Sequence, residues 1–599
     1  MPITNDKIED RSDPEVGASI GRALAHDSAV AHVRGTAVYV DDVPEPAGIV
    51  HVVPGYADLA RGRIRSLDLD AVRNAPGVLE VLTKDSIPEV NDCSPVFGDD
   101  PILAADEIRF HGQPLFAVVA ETREQARRAA RLARIEADRS HPLVEVDQGI
   151  ESGGDLMPPY AFERGAPDRT IKACEHRIAG RFRIGGQEHF YLEGQVAIAF
   201  PGEGDEIRIL SSTQHPTESS IWSRPCSASP MPRWSANIRL DRDDDMRMTG
   251  KRHDFRVDWR CGFDAEGLLA GVDLAFSSRC GHSADLSLAV NDRTMFHADN
   301  AYFYPECRIL SRRIRTDTVS NTAFRGFGGP QGMLAAERMM DAIAIHLDQD
   351  PFEVRMRNLY APGRDITPFG IEPQGYRLIR RIMRSLARSG EYAKRRRAIA
   401  RFNAAAALRA GHLRKGISLT PVKFGISFTL KHLNQAGALV NVFADGSVQV
   451  NHGGTEMGQG LHTKITQVVA EELGIDIGRV RITATRTDKV PNTSATAASV
   501  GSDLNGMAAS RAAAVIRGRL ARLAARLFQV SERQVSFADG QVRVGEESIP
   551  FARLTQMAVE ERVSLSATGH YATPGMTWDR ETVSGNPFYY YAMGAACTE

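Results

Sequence analysis

Residues 452–462, His452-Gly-Gly-Thr-Glu-Met-Gly-Gln-Gly-Leu-His462, are a glycine-rich loop that opens a helix. Ile465, Val468, Val469 and Leu473 follow at helical spacing, and Gly474 closes the run. Two other segments share this character. Thr322-Ala-Phe-Arg-Gly-Phe-Gly-Gly-Pro-Gln331 also opens a helix, and Pro491-Asn-Thr-Ser-Ala-Thr-Ala-Ala-Ser-Val-Gly501, small and hydroxyl-rich, precedes a long Ala/Arg helix from about Asp503 to Gln529. Small residues let a ligand reach the backbone, and helix N-termini favour anions. Three such loops in one domain point to a large, phosphate-bearing organic ligand. Neither a P-loop nor a plain G-x-G-x-x-G after a strand is present. Tight turns and close helix packing explain the same glycines, so both readings stand at this level.

Outward from these loops the chain is mixed α/β. Gly48–Val53, Val78–Leu82 and Leu115–Ala120 have strand character. Thr122 starts a helix, with Gln125 completing a capping box and small residues at Ala126, Ala129, Ala130 and Ala133. Asp350 caps another helix, with Pro351 first and Glu353 completing the box. The expected organisation is a flexible arm over 1–20, an α/β domain over 21–146, a Gly/Pro/acid-rich linker over 147–168 and a large domain over 169–599. Residues 219–238 break the pattern, lacking periodicity and holding two of the four tryptophans.

Composition excludes several function classes. The 599 residues allow two to four domains. Lys+Arg 73 against Asp+Glu 75 gives −2, so no general basic field marks a nucleic-acid partner. No apolar run reaches the ~18 residues of a membrane helix, and the first twenty residues carry no secretory h-region. The seven cysteines, at 93, 174, 226, 261, 280, 307 and 597, include no CxxC pair, which speaks against zinc ribbons and Fe–S clusters and for reduced thiols in a cytoplasm. Gly185-Gly-Gln-Glu-His-Phe-Tyr-Leu-Glu193 is not HExxH, and His189 reads as a satisfied histidine; no G-x-S-x-G elbow occurs. Arg312, Arg313 and Arg315 read as a solvated face.

Six segments in order, GGQEHFYLE (185–193), SNTAFRGFGGPQ (320–331), FGISFTLKHLNQAGAL (424–439), HGGTEMGQGLHTK (452–464), PNTSATAASV (491–500) and SGNPF (584–588), resemble the molybdenum-binding large subunit of the xanthine dehydrogenase family, within the wider xanthine oxidase/aldehyde oxidase group. The resemblance runs from about residue 17 to 599. It implies an α/β (α+β) fold, with an N-terminal hammerhead domain and then a large two-part molybdopterin-binding domain. It implies a molybdopterin cofactor carrying molybdenum, and hydroxylation of hypoxanthine and xanthine to urate with water-derived oxygen in purine catabolism. It places the 2Fe-2S clusters and FAD on a small partner subunit, with no nucleic-acid or membrane partner and a cytoplasmic location.

Carried over by position, the resemblance implies that Gln187 approaches the apical oxo ligand. Phe324, Arg325 and Gly326 would lie along the metal site, with Ala497 and Ala498 opposite; Gln187, Arg325 and Ala498 would be nearest the metal. Gln459, Ser499 and Val500 would hold the pterin and its phosphate. Phe327 and Phe428 would sandwich the purine, Thr429 would hydrogen-bond it, and Arg293 would stabilise negative charge developing on the ring. Arg293 and the GGPQ ending favour purines over the alternative of an aldehyde-oxidising hydroxylase. Two departures stand out. Residues 219–238 replace the family's GGGFGGKE loop, as a frameshift with deletion would, and no residue matches the general-base glutamate of the family's C-terminal part. The implied domain is therefore incomplete at its C-terminus and its activity is in question, with a non-catalytic remnant that binds the partner subunit as the alternative.

Overall fold

The structure is a computed structural model. It describes residues 19–88, 90–204, 206–219, 234–408, 411–489, 492–497 and 499–599. The core of segment 219–238, residues 220–233, lies outside the described residues, as do most of the expected arm (1–18), Cys226 and Ala498. The fold is mixed α/β, and the chain divides into two compact units. The larger holds Val40–Ser212, Pro225–Thr429 and Thr577–Glu599; the smaller holds Met1–Tyr39, Thr213–Arg224 and Leu430–Met576. Among the described residues no helix is long and apolar enough to cross a membrane.

In the larger unit, a six-stranded sheet runs in the order Ile207–Ser211, Val196–Pro201, Ala236–Arg239, Val50–Tyr56, Pro114–Ala120, Val78–Leu82. The strand Pro114–Ala120 is buried along its whole length, which matches its unbroken apolar sequence. The helix Arg123–Ala130 packs on this sheet through Ala126 and Ala129, and the Thr122 side chain accepts from Gln125 N; the expected box is only half formed, because Gln125 Oε1 accepts from Thr122 Oγ1 and not from the Thr122 backbone. Val50↔Ala236 pairing makes strands from beyond residue 146 part of the same sheet.

A five-stranded sheet follows, in the order Asp155–Arg164, Glu306–Arg315, Leu269–Gly281, Phe255–Phe263, His176–Ile184. Its aromatic core includes Phe162, Phe255, Phe276 and Phe296. The expected linker 147–168 is thereby corrected: it holds most of a short helix, Val146–Glu151, and the edge strand Asp155–Arg164. Pro158 and Pro159 are tolerated because they sit on a sheet edge, beside two register shifts. The solvated Arg cluster is corrected too. Arg313 is fully buried and donates to Pro158 O, and Arg312 pairs with Asp155 at 2.7 Å; only Arg315 is exposed.

In the smaller unit, a four-stranded sheet (Val480–Ile482, Val448–His452, Gln435–Val442, Ser566–Ala572) carries the helices Leu461–Leu473 and Gly501–Phe528. The long helix lies so close to its strand that a Cβ on Gly569 would meet Ala508 O at 2.1 Å. Residues 19–39 belong here rather than with the hammerhead strands. Ser19 is buried and bonds to Gln467 and Glu471, and Asp27 N donates to Thr463 Oγ1 at 3.0 Å.

Candidate functional site

In the larger unit, Gln187 and Arg252 form an isolated antiparallel bridge. Arg252 N donates to Gln187 O at 3.0 Å and its Nε to Gln187 Oε1 at 3.2 Å. Its Nη2 donates to Arg325 O at 2.8 Å, and its guanidinium lies 3.7 Å from the Phe324 ring centroid. Three residues singled out by sequence are therefore gathered by one that no motif marked. Burial pushes the Arg252 pKa down, and its Nη1 is buried without a partner. His189 is satisfied, as expected: Nε2 lies 2.7 Å from Ala323 O, and its ring sits 4.5 Å from that of Phe324.

The loop that holds Phe324–Gly328 settles on the helix Ser287–Phe296. A Cβ on Gly328 (φ +96°) would meet Val290 O at 2.0 Å, and one on Gly332 would meet Thr294 O at 2.3 Å. Thr294 Oγ1 donates to Gly328 O at 3.1 Å. Close packing thus explains these two glycines. Phe327 (φ 49°) and Phe190 (φ 51°) are bulky residues in left-handed conformation, a strain of roughly 1–3 kcal/mol each that falls within two of the motifs.

Arg293 is buried on the same helix. Its Nη1 donates to Gly425 O at 2.9 Å and its Nη2 to Ser427 O, and the guanidinium lies 5.1 and 5.2 Å from the Phe424 and Phe588 ring centroids. Burial lowers its pKa to about 10, and no carboxylate among the described residues lies within ion-pair distance. His297, one turn on, has Nδ1 2.8 Å from Arg293 O and accepts from Gly425 N at 3.0 Å through Nε2. Arg293 and His297 thereby hold both the C=O and the N–H of Gly425. This fixes the approach to half-buried Phe428 and Thr429. On the same strand, Lys423 Nζ pairs with Asp299 at 2.8 Å, both fully buried, and Tyr360 also donates to Asp299. Burial raises the Asp299 pKa and lowers that of Lys423.

In the smaller unit, Glu456 turns back on its own loop. Its carboxylate accepts from Gly458 N (2.9 Å), Gly460 N (3.0 Å) and His462 N (3.0 Å) and lies 3.2 Å from His26 Nε2. The chain's own carboxylate therefore fills the anion position at the start of helix Leu461–Leu473. Burial acts to raise the Glu456 pKa, but the N–H groups of His462 and Gly460 and the His26 side chain hold it below the usual carboxylate value. Gln459 is held within the loop, with Nε2 donating to Thr455 O at 2.9 Å and Oε1 accepting from Met457 N at 2.5 Å; its amide still has a second N–H and a second lone pair.

Thr455 N donates to Thr496 Oγ1 at 2.9 Å, so the 452–462 loop and the hydroxyl-rich loop are joined. Residues 214–217 lock the second loop: Thr496 N donates to Gln214 O at 2.9 Å, Thr493 N to Thr217 Oγ1 at 3.2 Å, and His215 Nε2 lies 2.9 Å from Thr493 O. Ala497 O accepts from Val500 N and Gly501 N, turning the chain through Ser499 into the helix Gly501–Phe528. Around the two loops, His452 Nε2, Thr455 Oγ1, Thr493 Oγ1 and Asn505 Oδ1 are buried with no partner among the described residues. Because His452 Nδ1 accepts from Gly454 N, its Nε2 is an unused donor.

Comparison with known proteins gives matches along most of the chain. Two molybdopterin cofactor-binding domain models match, one over residues 385–599 and the other over 154–233 and 226–359. The a/b hammerhead domain model of aldehyde oxidase and xanthine dehydrogenase matches 34–140. Xanthine dehydrogenase of Dictyostelium discoideum is 36% identical over 617 residues, covering 97% of this chain and 43% of the relative. The xanthine dehydrogenase/oxidase of Gallus gallus is 35% identical, with 97% and 43% covered.

The chain resembles the molybdenum-binding part of the xanthine oxidase family.

It spans under half the length of these curated relatives. The fold is also that of quinoline 2-oxidoreductase from Pseudomonas putida 86 (TM-score 0.82, 20% identity, 92% of this chain and 79% of that one). CO dehydrogenase from Oligotropha carboxidovorans has a TM-score of 0.82 at 19% identity, covering 96% and 80%. Motif position pointed to Gln187, Phe324 and Arg325. Arg252, His215, Thr217 and His297 act through long-range contacts that leave no local signature in the sequence.

Proposed function

We propose that this chain supplies the cofactor- and substrate-holding part of a molybdenum hydroxylase that oxidises hypoxanthine and xanthine to urate. The gathering of Gln187, Phe324 and Arg325 around Arg252 carries the reading. The smaller unit's residues fit molybdopterin, whose pterin is polar along its edges: unpartnered buried donors at His452, Thr455 and Thr493 surround the joined loops. When bound, that group supplies a molybdenum centre able to add oxygen to an electron-poor carbon and take up two electrons.

The chain's own residues then have distinct tasks. Gln187 and Arg325 are proposed nearest the metal with Ala498, and Phe324, Gly326 and Ala497 beside it. Gln459, Ser499 and Val500 are assigned to the pterin and its phosphate, where the N–H groups that begin helix Gly501–Phe528 favour negative charge. Phe327 and Phe428 would stack the purine and Thr429 would hydrogen-bond it. Arg293 has no neutralising carboxylate among the described residues, so its positive charge remains to stabilise negative charge on the ring. No residue of this chain is assigned the general-base role. A small subunit with FAD and 2Fe-2S clusters is proposed to take the electrons.

The test is co-production with such a subunit, followed by oxidative release of the pterin and fluorescence assay. Xanthine binding is measured in parallel by equilibrium dialysis. We expect a released pterin signal, and Phe428→Ala should weaken xanthine binding about tenfold, corresponding to roughly 1.4 kcal/mol of stacking. A folded chain that releases no pterin contradicts the proposal.

A further inference from the structure

Residues 376–415 hold thirteen Arg or Lys and one acid, Glu391, in a chain whose net charge is −2. They form the helices Tyr376–Ser389 and Tyr392–Leu408 of the larger unit. The first buries Tyr376, Ile379 and Met383. Arg377, Arg381, Arg384 and Arg388 are all exposed and follow at intervals of four, three and four residues, which places them on one face. At 1.5 Å per residue this row is about 16 Å long. Arg397 and Arg401, also exposed, repeat the spacing on the second helix. None of these six is within ion-pair distance of a carboxylate among the described residues, although the neighbouring cations are: Lys394 pairs with Glu391, Arg395 with Glu599 and Arg396 with Asp350.

Like charges one turn apart repel, each pair costing an isolated helix a few tenths of a kcal/mol. Burial and the nearby Arg384 push the pKa of half-buried Arg380 down. The surface therefore has unused capacity for anions. From this we infer that the Arg377–Arg388 row, extended by Arg397 and Arg401, is a docking surface for an acidic α-helix of a partner protein.

Three observations favour a carboxylate-bearing helix. Carboxylates already satisfy three neighbouring cations of the second helix, Lys394, Arg395 and Arg396. The planar guanidinium fork matches a carboxylate in a two-point contact, and the row is arginine throughout. The 4-3-4 spacing equals that of Glu side chains along one face of a second helix. A bilayer is disfavoured because the apolar face of Tyr376–Ser389 is buried in the protein. Single-stranded nucleic acid is disfavoured because these helices offer it a single exposed ring among the described residues, Phe402, where stacking along a strand needs several; Tyr376 and Tyr392 are buried.

The experiment uses the full chain and a labelled 20-residue Ala-based helix bearing Glu at i, i+4, i+7 and i+11, followed by fluorescence anisotropy. An isomer with the same four Glu out of register, single-stranded and duplex DNA and phosphatidylglycerol vesicles are compared. In-register peptide should bind at least tenfold tighter than the isomer, and raising salt from 0.05 to 0.5 M should weaken it at least tenfold. The exposed triple variant R381Q/R384Q/R388Q should lose at least tenfold with an unchanged melting temperature. If that variant fails to fold, R384E with a peptide carrying Lys at one Glu position should regain the lost binding. Equal binding of the isomer, tighter binding of DNA or vesicles, an unaffected triple variant or a failed charge swap each overturns the inference.

Discussion

Replacing Lys423 with Met removes one half of a fully buried ion pair. Lys423 Nζ lies 2.8 Å from Asp299 Oδ2, with 1% and 0% of the side chains exposed. Among the described residues, the substitution leaves Asp299 with the Tyr360 hydroxyl as its remaining side-chain partner, and its Oδ1 has none. Breaking a buried pair from one side costs about 3–5 kcal/mol. The larger unit has about 400 residues. At ~2.1 cal/mol/K per residue its unfolding entropy is ~0.8 kcal/mol/K, so a loss of ~4 kcal/mol lowers its transition by ~5 °C. Asp299→Asn should cost a similar amount. The double variant removes both charges and should lose only ~2 °C. Differential scanning calorimetry of the four proteins measures this. The pH dependence has a definite sign. Asp299 already sits above its unfolded value, and losing Lys423 raises it further. The Lys423→Met deficit should therefore shrink as the pH falls through ~4 and below, where the carboxyl becomes protonated in the unfolded state as well. Additive losses of ~10 °C in the double variant would refute the reasoning.

Other outcomes follow from the geometry. Glu456 lies below its ordinary value in the fold, so its contribution is present above pH ~4.5 and lost as the pH falls through the folded value. Hydrogen-exchange protection at Gly458, Gly460 and His462 should drop there, and Glu456→Gln should abolish that pH step. Gly328→Ala places a Cβ against the Val290 carbonyl at φ +96°, and should destabilise the larger unit by at least ~3 kcal/mol in a thermal melt. His297→Phe removes the acceptor of Gly425 N; xanthine affinity should fall several-fold while pterin content stays unchanged. Thr122→Ala should cost ~1 kcal/mol of stability through the lost cap, measured by calorimetry.

Much of the local structure was legible because its causes are local. Val78–Leu82, the Thr122 and Asp350 caps and the Gly474 terminus each follow from a few adjacent residues. The segment 147–168 was misread because Gly, Pro and acids ordinarily mark turns, whereas a sheet edge accepts Pro158 and Pro159. Arg313 looks like a surface residue in sequence, yet its strand lies inside the sheet. The glycine loops divided between the two readings left open. Gly328 and Gly332 serve packing. In the 452–462 loop the backbone donors of Gly458, Gly460 and His462 are taken by Glu456, a member of the motif whose inward turn the sequence does not show. The grip of Arg293 and His297 on Gly425 spans more than a hundred residues of sequence, and only the folded chain reveals it.

The central claim, that this chain holds a molybdopterin cofactor, is tested most directly by the molybdenum-to-protein ratio. The chain is co-produced with the proposed FAD and 2Fe-2S subunit, purified without oxygen, and its metal measured by mass spectrometry. The account predicts close to one molybdenum per chain. A ratio near zero in a folded, subunit-associated chain would contradict it.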